Sequence, residues 1–356
     1  MIPRSEMGAG RPQDIRLGVI GLGRMGMLHA ENLASGAKGI ELARITDTSA
    51  EVARAAGKRL GVESSSELES VLEDPAIAGV VIATPTATHV ELVERAAAAG
   101  KHVFCEKPVS FDTESTLRAL AAARAAGVVL QVGFHRRFDP DWADATARIR
   151  AGELGDVRLF RTSLRDKTAP RADFLTGSGG FFVDVTIHDL DTARWMVGEI
   201  DEVTAFGAAL TDPAIAELGD VDNALVVLRF ENGALGVIDG SREAVYGYEC
   251  STEVMGSKST VRISGHRRHR SQWLTPGSVA SDWVLDFSER YPDAYRLELE
   301  AFARAVRDGV EPEITGEDAL AAFVLAGACE RSWREKRTVR LGHERTATGA
   351  VYSELD

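Results

Sequence analysis

The sequence predicts an α/β protein in two parts: a parallel sheet wrapped by helices, followed by an α+β unit built on an open, mostly antiparallel sheet. Three observations predict it. Residues 15–132 alternate short β-branched runs with Ala-rich helical runs, the pattern of strands joined by helical crossovers. A Gly-x-Gly-x-x-Gly loop, Gly21 to Gly26, separates the first strand from the first helix. From about Pro140 the strands lengthen and alternate, and Asn232-Gly233 stands between two of them as a hairpin turn.

In order, Ile15–Ile20 reads as a strand and a helix follows the glycine loop through Leu33. Ile40–Thr46 is a strand, then helices cover Glu51–Leu60 and about Ser66–Leu72. Gly79–Ala83, His102–Cys105 and Val128–Val132 are strands separated by helices at Thr88–Ala99 and Asp112–Ala126. A helix over 140–151 ends at Gly152 and opens the second part. Its strands are Val157–Arg165, Glu202–Leu210, Ala224–Phe230, Ala234–Ala244, Glu249–Met255 and Ser259–Ile263, the last two folding back through Gly256-Ser257-Lys258. Helices at Pro292–Arg307 and Glu317–Lys336 follow, with Thr315 as N-cap of the second. Thr338–Leu341 is a last strand. The expected domains are 1–138, with 1–14 a frayed tail, and 139–356.

Lys+Arg number 41 against 54 Asp+Glu, a formal charge of −13. That balance argues against nucleic acid or an anionic membrane as partner. Cys105, Cys250 and Cys329 are far apart and match no zinc-ligand spacing or disulfide framework. A reducing cytoplasm fits, and no stretch reads as a signal peptide or membrane span. The basic cluster His266-Arg267-Arg268-His269-Arg270 reads as a solvated loop. Cys105 reads as packing, and Trp273 and Trp283 as candidate interface anchors.

The glycine loop follows an apolar strand and opens a helix, the context of a Rossmann dinucleotide site. Gly21 makes the turn, Gly23 admits a pyrophosphate, and Gly26 lets helix pack on strand, with Arg24 and Met25 between them. The helix N-terminus adds partial positive charge. Asp47 ends the second strand, where a carboxylate accepts from ribose hydroxyls and repels a 2′-phosphate. Thr48 and Ser49 supply no Arg for such a phosphate, so NAD is expected over NADP. Thr84, Pro85 and His89 follow the strand Gly79–Ala83 near the switch point of the sheet, as candidate nicotinamide contacts. For His89, packing or capping competes with that role. Glu106-Lys107-Pro108 leaves the strand His102–Cys105 at its carboxyl edge, with Glu106 and Lys107 as further candidate cofactor contacts. The Lys107 ammonium there suits a developing alkoxide.

Residues 181–196, FFVDVTIHDLDTARWM, carry a polar stripe on an otherwise apolar helix. Asp184, His188 and Asp191 fall at i, i+4 and i+7, within about 40–60° of one another on a regular α-helix. Buried carboxylates and imidazoles are costly unless paired or used. A structural hydrogen-bond network and an acid/base site both account for the stripe.

Gly21-x-Gly23-x-x-Gly26, Asp47, Glu106-Lys107-Pro108 and Asp184-x-x-x-His188, in this order, resemble the Gfo/Idh/MocA oxidoreductase family from about Ile15 to Leu341. The stretch 178–195, with Gly133-Phe134-His135-Arg136-Arg137-Phe138-Asp139 and Tyr246-Gly247-Tyr248, is most similar to the inositol 2-dehydrogenase branch. The resemblance implies that His188 removes a hydroxyl proton as hydride leaves for the nicotinamide. It implies that Asp184 pairs with His188, that Lys107 binds the reacting oxygen, and that Asp191 and Tyr248 hold neighbouring hydroxyls of a cyclic polyol such as myo-inositol. It also implies a homotetramer. One branch of inositol dehydrogenases carries His-Arg-Asn where this chain has Leu164-Arg165-Asp166, which bears on substrate choice. Arg165 and Asp166 are read here as facing the substrate or as strand-end charges. Rival readings are another inositol isomer, a pyranose sugar, or a non-catalytic nucleotide-binding regulator.

Replacing Asp47 by Ala is expected to weaken NAD binding far more than NADP binding. Titration of both dinucleotides checks this, and an unchanged preference overturns the assignment.

Overall fold

The computed structural model describes residues 14–265, 267–269, 271–346 and 349–355, without the side chains of residues 172, 173, 345, 346 and 349. The expected tail, apart from Asp14, and His266 and Arg270 of the basic cluster lie outside the described residues.

The first part contains β1 (Ile15–Ile20), α1 (Arg24–Ala34), β2 (Ile40–Thr46), α2 (Ala50–Leu60), β3 (Glu63–Ser65) and α3 (Glu69–Leu72). It continues with β4 (Gly79–Ile82), α4 (His89–Ala98), β5 (His102–Cys105), α5 (Thr113–Ala126) and β6 (Leu130–Val132). The strands pair in the order β3-β2-β1-β4-β5-β6, all parallel. The central strand β4 is buried along its whole length, as a parallel strand covered on both faces requires. Strand order reverses between β1 and β4, so the loops after them open a crevice at the carboxyl ends of the strands, where ligands bind in such sheets. The short strand β3 was not expected, since Glu63-Ser64-Ser65 carries no apolar signal and gains its place by pairing with β2.

The second part begins with α6 (Pro140–Arg150), capped by the Asp139 carboxylate with Pro140 in the first turn. Next come β7 (Val157–Arg165), α7 (Ala172–Gly177), and a π-helical turn, Phe182–Thr186, that runs into α8 (Ile187–Val197). They are followed by β8 (Ile200–Ala208), α9 (Pro213–Glu217), β9 (Asn223–Phe230), β10 (Leu235–Ser241), β11 (Glu249–Gly256) and β12 (Thr260–Ile263). A small hairpin of β13 (Gln272–Thr275) and β14 (Ser278–Ser281) precedes α10 (Phe287–Arg290), α11 (Ala294–Asp308) and α12 (Gly316–Glu335). The described chain closes with β15 (Val339–Thr346) and β16 (Gly349–Leu355). Thr315 caps α12 in a reciprocal box with Asp318, as expected.

Eight strands pair as β12-β11-β7-β10-β9-β8-β15-β16. All are antiparallel except β10 on β7. Alternation in β9 buries Ala224, Val226, Leu228 and Phe230 and leaves Leu225 and Val227 exposed. Helices α8 and α12 contribute Leu190, Ala193, Ala322 and Leu325 to the same core as the inner face. The helix α11 belongs to the later part of the chain yet packs on the first sheet. Its Leu299, Phe302 and Ala303 join Leu17, Val19, Val81 and Phe104 in one cluster. No helix among the described residues is long and apolar enough to cross a membrane.

Gly21 has φ +88°, in the left-handed region that favours glycine. A Cβ on Gly26 would stand 1.9 Å from the Gly21 carbonyl oxygen. Gly26→Ala is therefore expected to cost about 1–3 kcal/mol, the range for overpacking a tight contact. Urea unfolding of the variant checks this.

Candidate active site

The cradle at the end of β1 forms from the main chain. Nothing lies within 4 Å of where a Cβ on Gly23 would stand, so that peptide is open to a pyrophosphate. Asp47 Oδ2 accepts from the Leu22 N–H at 2.9 Å and Oδ1 from the Ser49 N–H at 2.9 Å. These bonds pin the carboxylate beside the glycine loop, where a ribose would lie. Arg24 is exposed at the start of α1, its guanidinium 4.0 Å from the Phe287 ring centre, and Met25 is half-buried. Thr84 Oγ1 bonds Thr88 Oγ1 at 2.7 Å, and Pro85 is exposed. These residues fit a dinucleotide: open backbone for phosphate and a fixed carboxylate for ribose.

Two expected cofactor contacts are corrected. His89 is buried, with its ring nitrogens 2.9 Å from the Pro108 and Thr84 carbonyl oxygens. It braces the loop after β4 against the turn after β5, and burial pushes its pKa down. Glu106 also turns inward. Its Oε1 meets His29 Nε2 at 2.7 Å and its Oε2 accepts from the Lys107 N–H at 3.2 Å. Glu298 of α11 completes this interior group, with ligand-type atoms of the three residues within 4.8 Å of one another. Burial and the Glu106 charge push the Glu298 pKa well up.

Lys107 crosses from the first part to the second. Its Nζ donates to the Asp184 carbonyl oxygen at 2.9 Å and to Asp184 Oδ1 at 3.3 Å. Asp184 Oδ2 accepts from Arg242 at 2.9 Å. Burial opposes ionisation of Asp184, but Lys107 and Arg242 outweigh it and hold its pKa below the ordinary value. The expected pair between Asp184 and His188 is not formed. The reason is the π-turn over Phe182–Thr186, which inserts a residue into the helical turn and rotates Asp184 away from the i, i+4 line onto Lys107.

Among the described residues the His188 ring makes no hydrogen bond or ion pair with a carboxylate. Its ring lies edge-on to Phe134 (5.9 Å) and His135 (5.2 Å). Its Nδ1 is buried without a partner, so Nε2 is the nitrogen available to a substrate. Burial, with the charges of Lys107, His135 and Arg136, pushes the His188 pKa well down. The imidazole is therefore neutral and able to take a proton near neutral pH.

Asp191 is corrected as well. Its carboxylate receives both Arg137 Nε (3.0 Å) and NH2 (2.6 Å) and is buried, so it is engaged by a guanidinium where a substrate hydroxyl was expected. Asp318 joins the same guanidinium. Asp189, beside it, pairs with Arg136 at 2.5 Å. Arg165 is engaged by Asp239 Oδ1 at 2.6 Å and by the Tyr246 hydroxyl at 3.1 Å. Asp166 follows it into the cleft. Burial and the Asp184 charge raise its pKa to about 6, against the opposing pull of Arg242, Arg24 and Lys107. The Tyr248 ring is buried 6.4 Å from Tyr291, and its carbonyl accepts from Trp283 Nε1 at 2.7 Å. Trp283 thus packs within the chain, while Trp273 is exposed on the hairpin. Arg268 and His269 of the basic cluster meet Glu289 and Asp282, both at 2.8 Å. Arg242 was missed. It lies in Ser241-Arg242, just past a strand end, with no local pattern to distinguish it, and only folding brings it to Asp184.

A dinucleotide cradle opposite a lysine and a neutral histidine defines a nicotinamide-dependent oxidoreductase. Residues 15–134 match the Gfo/Idh/MocA oxidoreductase family, NAD-binding Rossmann fold, and residues 146–341 match its C-terminal alpha/beta domain. The chain belongs to this family. It is 42% identical to the myo-inositol 2-dehydrogenase of Thermotoga maritima, over 92% of this chain and 98% of that protein. It is 40% identical to the NAD(+)-dependent scyllo-inositol 2-dehydrogenase of Bacillus subtilis, over 94% and 98%. The structure of scyllo-inositol dehydrogenase from Lactobacillus casei, with bound NAD(H) and scyllo-inositol, superposes with a TM-score of 0.86. It is 30% identical, over 92% of this chain and 99% of that one.

Asp191→Ala leaves Arg137 buried and short of its main partner. It is expected to cost about 3–5 kcal/mol in urea unfolding. Where the variant folds, it leaves the KM for substrate unchanged, and a raised KM at unchanged stability would restore Asp191 to the substrate site.

Proposed function

We propose that this chain oxidises one ring hydroxyl of an inositol, taken here as myo-inositol, to a ketone with NAD as hydride acceptor. The observation that carries the reading is the Lys107–Asp184 pair beside an unpaired, neutral His188, at the carboxyl edge of a NAD-binding sheet. Relatives named as myo- and scyllo-inositol dehydrogenases at 42% and 40% identity support the substrate class.

When bound, NAD supplies the hydride acceptor, held by Gly21, Gly23, Gly26 and Asp47, with Arg24, Met25, Thr84 and Pro85 along the crevice. His188 Nε2 takes the hydroxyl proton. Lys107 donates to the same oxygen as negative charge grows on it, an interaction strongest in the transition state. Asp184 holds the ammonium in place, and Asp166 lines the cleft for neighbouring hydroxyls. The uncovered face of the second sheet bears exposed Phe206, Leu225, Val227, Leu235 and Met255, an apolar patch of the kind that marks protein contacts. It supports assembly into a homotetramer through that face. Three buried free cysteines support a reducing compartment such as the cytoplasm.

Reduction of NAD and NADP against inositol isomers and common aldoses tests the reading. NADH formation with myo-inositol is expected, a preference for scyllo-inositol or an aldose would reassign the substrate, and NAD binding without reduction by any of them would favour a regulatory role. His188→Ala is expected to lower kcat at least ~10²-fold, the scale of general acid–base help. Because the pKa of His188 is depressed, the base stays neutral through pH 6.5. The rate should hold its plateau there and fall only at lower pH, and a limb centred at or above pH 6.5 would contradict the assignment.

A further inference from the structure

We propose that Arg242 is a positioning residue for the reaction: it grips Oδ2 of Asp184 so that Asp184 presents Oδ1, and with it the Lys107 ammonium, to the reacting hydroxyl. This rests on the dehydrogenase reading above and assigns a role to a residue outside the sequence motifs.

Arg242 is completely buried just past β10. Its main-chain N–H donates to the Asp222 carbonyl at 2.8 Å, and its guanidinium lies 5.4 Å from the Phe181 ring centre. The side chain is thus wedged between the sheet and the π-turn that carries Asp184. Among the described residues only NH1 of the guanidinium makes a hydrogen bond, the 2.9 Å contact to Asp184 Oδ2. Nε and NH2 are buried without hydrogen-bond partners, and Asp220 Oδ2 lies 3.9 Å from NH2. A buried guanidinium satisfied at one group is a poor stabilising device, and an apolar side chain of similar size would serve packing better. Its one bond is to a residue of the site.

The two grips on Asp184 come from different elements. Lys107, from the end of β5, takes Oδ1 and the carbonyl oxygen. Arg242 takes Oδ2. Two donors on different elements fix a carboxylate that either alone would leave to rotate. The charged groups facing Asp184 and Arg242 are Lys107, Asp166 at the end of β7, and Asp220 before β9, with Arg24 at the start of α1 acting on Asp166. Arg242 is the interior cation of this set. Without it, Asp184 keeps Lys107 but loses its second cationic partner, and its proton affinity rises.

The test compares Arg242→Gln, which removes the charge, with Arg242→Lys, which keeps it. Arg242→Met, apolar and of similar reach, replaces the Gln variant if that one does not bind NAD. The neutral variant is expected to lose ~10²-fold in kcat, the scale of a misplaced catalytic group, with NAD affinity unchanged. The acid limb of its pH–rate profile should move up. The Lys variant should recover most of kcat and keep the wild-type limb. Equal losses in both with no limb movement, or a neutral variant with wild-type kcat, would overturn the proposal. Titration of the Asp184 carboxyl carbon by NMR, in wild type and the folded neutral variant, reads the same interaction without turnover. A midpoint moved up supports the proposal and an unmoved one overturns it. Failure of wild type to reduce NAD with any polyol would refute the dehydrogenase reading separately, since the NMR titration decides on Arg242 either way.

Discussion

The ion pair between Lys107 and Asp184 joins the carboxyl edge of the first sheet to the π-turn that runs into α8 in the second part. Both side chains are about 15% exposed, a depth at which a charge needs a partner. The two halves of the molecule must therefore dock so that the turn after β5 meets the π-turn before α8. The interior group of His29, Glu106 and Glu298 lies directly behind Lys107 and draws α1, β5 and α11 to the same point. Helix α11 can serve this purpose because its apolar face is buried in the first core although it follows the second sheet in the chain.

The same charge sets the chemistry of His188. Lys107 is the foremost nearby charge that, together with burial, lowers the histidine's proton affinity, and it keeps Asp184 ionised. One ammonium thus maintains a neutral base and an anionic anchor within two helical turns. Around them, the other charges of this helix are taken up internally: Asp189 by Arg136, Asp191 by Arg137, and Arg194 by Glu199. His188 is the polar residue of that stripe whose ring makes no hydrogen bond among the described residues. A stripe that looks uniform in sequence is divided by packing into a structural part and a reactive part.

The division explains what was legible in the chain. The parallel sheet could be read because β1, β2, β4 and β5 are short apolar runs between helical ones, and the glycine loop because backbone sterics and phosphate access dictate its residue types. The hairpin at Asn232-Gly233 and the Thr315 cap are equally local. Lys107 and His188 could be named because strand end and helix position follow from such patterns. Less legible were the β3 edge strand, the β13–β14 hairpin and α7 and α9, which are short and weakly patterned. The parallel pairing of β10 with β7 was hidden as well, because it joins segments about 75 residues apart and long-range pairing leaves no local trace.

By itself the sequence determined the fold class, the dinucleotide cradle with Asp47, and the residue types gathered for proton and hydride chemistry. These rest on local sterics, periodicity and intrinsic ionisation, which each segment carries with it. Only the tertiary structure decided which charges meet. Asp184 turned from His188 to Lys107 and Arg242, Asp191 was absorbed by Arg137, and Glu106 and His89 turned inward as braces. The pairing of buried charges depends on which donors arrive from distant segments and on a single residue of π-helical register, and neither is encoded within the segment that bears the charge.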